Sequence, residues 1–430
     1  MPPEASAEPL GLGVDLGSSG LRLALIDRHG AVAAECAAPY PGPFEDPQAW
    51  RLGLIGLCGT LPASLRGRVV ALALDGTSGT LLLCRPNGAL LDGPLSRALP
   101  YHQACPHQAA AAAALVGSAA AQAPAAGASG SLARALQLLA NATAAGAAGP
   151  WLLRHQADWL MGWLLGDWRW GEEGNNLRLG WDPQAQAWLG SLAAQSWSPA
   201  LPAICRSGAQ LGALGGEAAA ALGLPSGCQV VAGSTDASAA VLAADPQPGD
   251  GITVLGTTLV LKQFSPEPIQ GPGISCQRLA GQWLVGGASN AGCGGRRGFY
   301  SDGQLAELSR QIDPRRPSGL ALRPLPRPGE RFPVDDPTLE PILEPRPVGD
   351  ALYLQALLEG LAAIEQQGWR RLQELGAPPV RRVLSLGGGA RNPQWRLIRQ
   401  RMLGVPVLNR PQCTAAQGMA RLALSACLQP

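Results

Sequence analysis

Apolar residues arrive in short runs broken by glycine. In GVDLGSSGLRLALID, Gly13 to Asp27, one run rises to Leu16, a Gly17-Ser18-Ser19 turn interrupts it and a second run follows. This pattern predicts a strand, a tight turn and a returning strand. ITVLGTTLVLKQF, Ile252 to Phe264, repeats it around Gly256-Thr257-Thr258. VVALALDGTSGTLLLC, Val69 to Cys84, reads as a buried strand, a break at Gly76 to Gly79 and a second apolar run. CQVVAGSTDASAAVLAAD, Cys228 to Asp245, predicts a short strand, a Gly-Ser-Thr-Asp turn and a small-residue helix, and RVLSLGGGARNPQW, Arg382 to Trp395, a strand, a glycine turn and a helix start. Helices are predicted around Trp50 to Leu65, at Gln304 to Ile312 and at Leu352 to Leu375, the last two separated by a proline-rich stretch.

The chain of 430 residues is too long for one ordinary core. Gly17 and Gly256 lie a little over half the chain apart, so the repeated hairpin predicts two related α/β domains, residues 10–244 and 245–430, with a boundary in the Pro/Gly-rich DPQPG at Asp245 to Gly249. Whether the segment after Pro411 returns to pack on the first domain, as its last ~15 residues could, is left open. Gln108 to Gly149 is Ala/Gly-rich and predicts helices and loops peripheral to the core. Of the 12 tryptophans, most fall between Trp151 and Trp197. Trp159 and Trp163 stand at helical spacing, which favours core packing over a sugar-stacking platform.

Composition removes several functions. The net charge is +2 and neither sign forms long runs, so nucleic-acid binding is not expected. The single lysine, Lys262, sits inside a predicted strand. A Walker-type loop needs Gly-Lys-Ser/Thr, and a protein kinase needs a strand lysine paired with a helix glutamate, so phosphate handling here must rest on glycine turns, hydroxyls, carboxylates and a metal ion. The 10 cysteines follow no framework and read as reduced thiols of a cytoplasmic protein. The first residues, MPPEASAEPL, lack a basic n-region and an apolar h-region, and no stretch reads as a membrane span. His102, Cys105 and His107 find no fourth ligand at zinc-like spacing.

Three constellations remain. Asp15 stands two residues before the first glycine turn, where a carboxylate can orient a hydrated Mg²⁺ while Ser18, Ser19 and the following N–H groups hold phosphate oxygens; the plain alternative is a structural hairpin with a polar tip. Gly387-Gly388-Gly389 lets the backbone lie flat against a ligand, with Asn392 as helix cap or ligand contact and Trp395 as a pocket wall. Asp236 can take the proton of a hydroxyl under phosphorylation, or cap the helix that follows it.

Taken in order, DLGSSG, DGTSG, AGSTDA, LGTT and GGGARN resemble the FGGY carbohydrate kinases of the actin-like ATPase superfamily, from Leu12 to about Leu424. Within that family DGTSGTLLLC, QADWL, LRLGWDP, TLVLK and GGASN look most like the short cyanobacterial and plastid D-ribulose kinases related to xylulose kinase. The resemblance implies two actin-like, ribonuclease H-like α/β domains with a cleft for ATP and sugar, and phosphorylation of a small ketose, D-ribulose first and D-xylulose or another sugar or polyol second, by a monomer or homodimer. Carried over, Asp15 lies near Mg²⁺ and the sugar, Ser18 near the terminal phosphate, and Ser78 and Asp236 on sugar hydroxyls with Asp236 as base. Gly256 and Thr257 serve the phosphates of ATP, while Gly388, Gly389, Asn392 and Trp395 hold the adenosine. Ser18 departs from the family's usual Thr. A sugar- or nucleotide-binding regulator without chemistry is the alternative of another class.

Overall fold

The computed structural model describes residues 8–117, 125–296 and 300–428. They divide into two compact units, one of residues up to 243 with 278–281 and 414 onward, the other of 244–277 and 282–413.

The first unit is built on a six-stranded sheet in the order Gln210–Ala213, Gln229–Thr235, Val69–Gly76, Leu10–Leu16, Leu21–Ile26, Val32–Ala38. The last three strands form an antiparallel meander, and the Val69–Gly76 and Gln229–Thr235 strands run parallel to Leu10–Leu16. Leu10 to Leu16 is buried at every position, as expected of a central strand covered on both faces. The second unit repeats the plan. Its sheet runs Ile274–Leu279, whose last two residues the division counts with the first unit, then Gln282–Ser289, Leu259–Ser265, Asp250–Leu255, Arg382–Leu386, Val407–Asn409, with the Asp250–Ser265 hairpin antiparallel and the Arg382–Leu386 and Val407–Asn409 strands parallel to its first arm.

Local signals explain most boundaries. The helix expected near Trp50 begins earlier, at Pro47, because Asp46 caps it by accepting from the Gln48 N–H at 3.0 Å and Pro47 supplies a first-turn residue that needs no donor. It stops at Gly59, and a separate short turn, Ala63–Arg66, follows Pro62. The two later helices run Asp302–Gln311 and Asp350–Glu374, a residue or two from their expected ends.

The Ala-rich region packs into a cluster separate from the core of the sheet. Helices Ala109–Val116 and Ser131–Ala144 close a hydrophobic cluster of their own with Leu81, Leu83 and Leu153. Leu132, Leu138 and Leu139 supply bulk on one face, and alanines let the backbones approach; residues 118–124 of this stretch lie outside the described residues. Trp159 and Trp163 are buried on the Gln156–Leu165 helix and donate to Gly88 O at 3.0 Å and Glu217 Oε1 at 3.3 Å, as core residues do. All 10 cysteines are free thiols. Among the described residues no helix is long and apolar enough to cross a membrane.

Candidate active site

Three aspartates meet at the carboxyl ends of the parallel strands in the first unit. Asp15 and Asp75 are register partners on the Leu10–Leu16 and Val69–Gly76 strands, and Ser234 and Thr235 pair with Asp75 and Gly76 immediately before Asp236. An irregularity between Val231 and Ser234 sets that last register. Gly233 permits it, because a Cβ there would lie 1.7 Å from Leu74 O.

Each carboxylate has a different environment. Asp15 is 6% exposed, and its Oδ2 accepts from Arg22 Nη1 at 3.0 Å, Arg22 being its cross-strand partner in the hairpin. Asp75 is wholly buried, and neither of its oxygens has a hydrogen-bond partner. Burial, then the charges of Asp15 and Asp236, raise its pKa well above the ordinary carboxylate value. Asp236 opens the Asp236–Ala243 helix, and its Oδ1 accepts from the Ala237 N–H at 2.7 Å. Desolvation raises its pKa and the Asp15 charge adds to this, against the opposing Ala237 bond. Tyr40 lies close by: burial, with Asp15 and Asp75 nearby, holds its hydroxyl in the neutral donor form.

The turns beside these carboxylates are polar and open. Ser18 and Ser19 are exposed at the hairpin tip, and Ser78 is half-buried on the Gly76–Thr80 turn. A buried arginine, Arg134, fixes that turn by donating to Gly79 O at 3.1 Å and Gln103 O at 3.0 Å, and also to Tyr101 O. Behind the Asp236 strand end lies a buried polar network. Glu172 accepts from the N–H groups of Gly174 and Asn175 at 2.8 and 2.9 Å and from Asn175 Nδ2 at 3.0 Å, while Asn175 Nδ2 also reaches Ser234 O at 3.4 Å. Burial pushes the Glu172 carboxyl up to about 8.

In the second unit Gly256 and Thr257 form the hairpin tip, with their carbonyls accepting from Cys293 N at 2.8 Å and Gly294 N at 3.2 Å. The tip leaves Thr257 exposed. Gly388 is exposed, and Gly389 is packed so closely that a Cβ would lie 2.6 Å from the Trp395 ring and 2.7 Å from Leu255 Cβ. Trp395 is a core residue and not a pocket wall: it is 1% exposed, beneath Gly389, and its indole N–H donates to Leu358 O at 3.1 Å. Asn392 is a helix cap, its Oδ1 accepting from Trp395 N at 3.0 Å and its Nδ2 donating to Ser309 Oγ at 2.9 Å, so both ends of the amide are engaged within the protein.

Sequence reasoning singled out Asp15 and Asp236 and missed Asp75, Tyr40, Gln156, Asn175 and Arg22. A signal for Asp75 did exist, since a lone carboxylate ends the otherwise apolar VVALALD. Tyr40, Gln156 and Asn175 come from distant segments, and only the fold brings them to the site.

The donors fit a nucleotide with its magnesium ion. The carboxylates of Asp15, Asp75 and Asp236 lie at the strand ends, and Mg²⁺ beside a nucleotide needs one or two carboxylates, the rest of its shell coming from phosphates and water. Asp15 has Oδ1 free of the Arg22 bond, and among the described residues no group of three His, Cys, Asp or Glu side chains forms an all-protein metal cage.

Residues 252–427 match the model of the FGGY family of carbohydrate kinases, C-terminal domain. Over 232 residues the chain is 27% identical to the L-fuculokinase of Salmonella typhi, a match covering 48% of this chain and 45% of that protein, so the chain aligns with about half the length of its curated relatives. Solved structures cover far more of it. A xyloylose kinase from Brucella ovis superposes with a TM-score of 0.79 at 22% identity, covering 97% of this chain and 90% of its own. The xylulose kinase of Rhodospirillum rubrum gives a TM-score of 0.78 at 23% identity, with 96% and 89% covered. Residues 252–427 are thus similar to the C-terminal domain of the FGGY carbohydrate kinases, and the chain shares the two-domain α/β fold of solved sugar kinases.

Proposed function

We propose that the protein is an ATP-dependent carbohydrate kinase acting on a ketopentose, D-ribulose before D-xylulose. The observation that carries this reading is the convergence of Asp15, Asp75 and Asp236 at neighbouring strand ends of a unit whose hairpin tip exposes Ser18 and Ser19. The Gly256 and Gly388–Gly389 turns of the second unit are assigned to the nucleotide, supported by the family match of that region.

A sugar hydroxyl is a weak nucleophile, and phosphoryl transfer is accelerated mainly by positioning and by stabilising spread charge. Asp236 accepts the hydroxyl proton as the oxygen attacks the terminal phosphorus of ATP, the bond to the bridging oxygen breaks, and ADP leaves with the electron pair. The raised pKa of Asp236 makes it a stronger base than an exposed aspartate. Asp15 would hold Mg²⁺, which would supply positive charge against the phosphates of ATP. Ser18 and Ser19 donate to the transferred phosphoryl group, and Ser78 orients the sugar. Asp236→Asn is expected to lower sugar-dependent turnover by about 10²–10⁴ while ATP still binds; unchanged turnover would remove Asp236 from the base role.

The kinases matched in sequence and structure are named for fuculose and xylulose, which keeps D-xylulose as the second substrate to test. D-Ribulose stands first on the resemblance of DGTSGTLLLC, QADWL, LRLGWDP, TLVLK and GGASN to D-ribulose kinases.

A further inference from the structure

Two turns of the proposed site are joined by a chain of side-chain hydrogen bonds. On one side lies Gly17, next to Ser18 in the hairpin; on the other lies Thr77, next to Ser78. Between them run Tyr40, from the loop after the third strand, and Gln156, the first residue of the Gln156–Leu165 helix. Tyr40 Oη donates to Gly17 O at 2.8 Å, and Gln156 Nε2 donates to Tyr40 Oη at 3.3 Å. Gln156 Oε1 accepts from Thr77 N at 3.1 Å and from Thr77 Oγ1 at 2.8 Å. Thr77 Oγ1 lies 2.6 Å from Thr80 Oγ1, which accepts from Tyr101 N at 3.1 Å.

The sense of this chain is determined. A backbone N–H only donates, so the Thr77 amide fixes the Gln156 oxygen toward Thr77 and its NH₂ toward Tyr40. Tyr40 must then donate to Gly17, whose carbonyl only accepts. The Thr77 hydroxyl donates to Gln156, and Thr80 donates to Thr77. Every donor points from the Thr80 end to the Gly17 end, an arrangement in which successive bonds polarise one another.

The chain is also held rigidly. Gln156 and Thr80 are wholly buried and Thr77 is 4% exposed. Tyr40 contacts Phe44 with ring centroids 5.9 Å apart, Phe44 contacts Trp50 at 6.1 Å, and Trp50 meets Trp159 of the Gln156 helix at 6.3 Å. Both ends of the Tyr40–Gln156 link are thus anchored in one aromatic stack.

We propose that Tyr40, Gln156 and Thr77 are positioning residues that lock the Gly17–Gly20 turn to the Gly76–Thr80 turn, so that the phosphate-holding and sugar-holding elements keep one separation. This rests on the kinase reading for what the turns bind, but the lock itself is independent of it. Transfer depends on the placement of donor and acceptor to within an ångström, and such locks act on turnover more than on ground-state binding.

The test uses Tyr40→Phe and Thr77→Val, which remove one hydroxyl each at nearly constant volume, singly and together. Amide hydrogen exchange is followed at residues 17–20 and steady-state kinetics for sugar and ATP. The lock predicts faster exchange at 17–20 in Thr77→Val, although the substitution lies on the other turn. It also predicts a roughly tenfold fall in kcat with KM moved less than about threefold, and a double variant no worse than the poorer single one. Wild-type exchange at 17–20 in Thr77→Val, or single effects that multiply in the double variant, would overturn it. Altered exchange in a protein without sugar-dependent turnover would support the lock and overturn the kinase reading alone.

Discussion

At the scale of single residues, Asp236 and Asp75 are opposite uses of a carboxylate near other carboxylates. Asp236 is partly exposed, and the base role requires it ionised. Because burial and Asp15 raise its pKa, the acid limb of kcat/KM is expected to fall at a pH above the ordinary 3.8 of an aspartate, and to disappear in Asp236→Asn together with most of the rate. A pH–rate profile checks this. Asp75 has no hydrogen-bond donor, and burial with the charges of Asp15 and Asp236 outweighs the Arg22 charge, so its ionised form is resisted by the fold. A carboxyl whose folded-state pKa lies above its unfolded one favours the native state at low pH, and that contribution is lost as pH rises from about the unfolded value toward the folded one. Asparagine does not titrate. Asp75→Asn should therefore gain stability relative to wild type as pH is raised from 5 to 8, read as a growing difference in Tm; a constant difference would show that Asp75 is not resisting ionisation.

What was legible at this scale was the position of polar residues beside glycine turns at strand ends. Asp15, Ser18, Ser78 and Asp236 are flanked by Gly17, Gly76, Gly79 and Gly233, and glycine-hydroxyl runs announce themselves. Trp395 was read as a pocket wall because an aromatic beside a glycine turn reads the same whether it faces outward or into the core. Only the closeness of Gly389 to its ring distinguishes the two.

At the scale of elements, the strands and hairpins were readable because fully apolar runs with glycine breaks have few other solutions. Buried ion pairs had no such signal. In the second unit Arg399, wholly buried, pairs with Glu365 at 2.6 and 2.7 Å and donates to Ser385 Oγ at 2.7 Å, while Glu365 also accepts from Thr253 Oγ1 at 2.6 Å. This ties the Asp350–Glu374 and Pro393–Leu403 helices to the Asp250–Leu255 and Arg382–Leu386 strands. Glu365→Gln leaves the Arg399 charge buried without a counter-charge, and should cost about 3–5 kcal/mol in urea unfolding of the second unit. A loss under about 1 kcal/mol would mean that Gln and Ser385 satisfy the guanidinium.

At the scale of the whole molecule, the two units repeat one sheet plan of an antiparallel meander with two parallel strands, and the recurrence of the glycine hairpin in the sequence pointed to it. The destination of the C-terminus was not readable. Its helix, Ala415–Leu428, belongs to the first unit and crosses the Leu10–Leu16 and Val69–Gly76 strands and the Asp236–Ala243 helix. The fit depends on backbone approach, with a Cβ at Gly13 lying 1.8 Å from Ala416 O. Small residues that permit such contact look like ordinary strand and helix residues until the partner is known. Gly13→Ala should displace that helix from beneath the Asp15 strand, destabilise the first unit by ~1–3 kcal/mol and lower turnover; unchanged stability and rate would show that the helix can shift without consequence.

The most direct measurement is ADP release from Mg·ATP with D-ribulose, D-xylulose, L-fuculose, glycerol or no sugar, wild type beside Asp236→Asn. A rise with one ketopentose, D-ribulose above D-xylulose, that is lost in Asp236→Asn is the predicted result. Release independent of sugar, or none with any of them while ATP still binds, would contradict the assignment of this protein as a carbohydrate kinase.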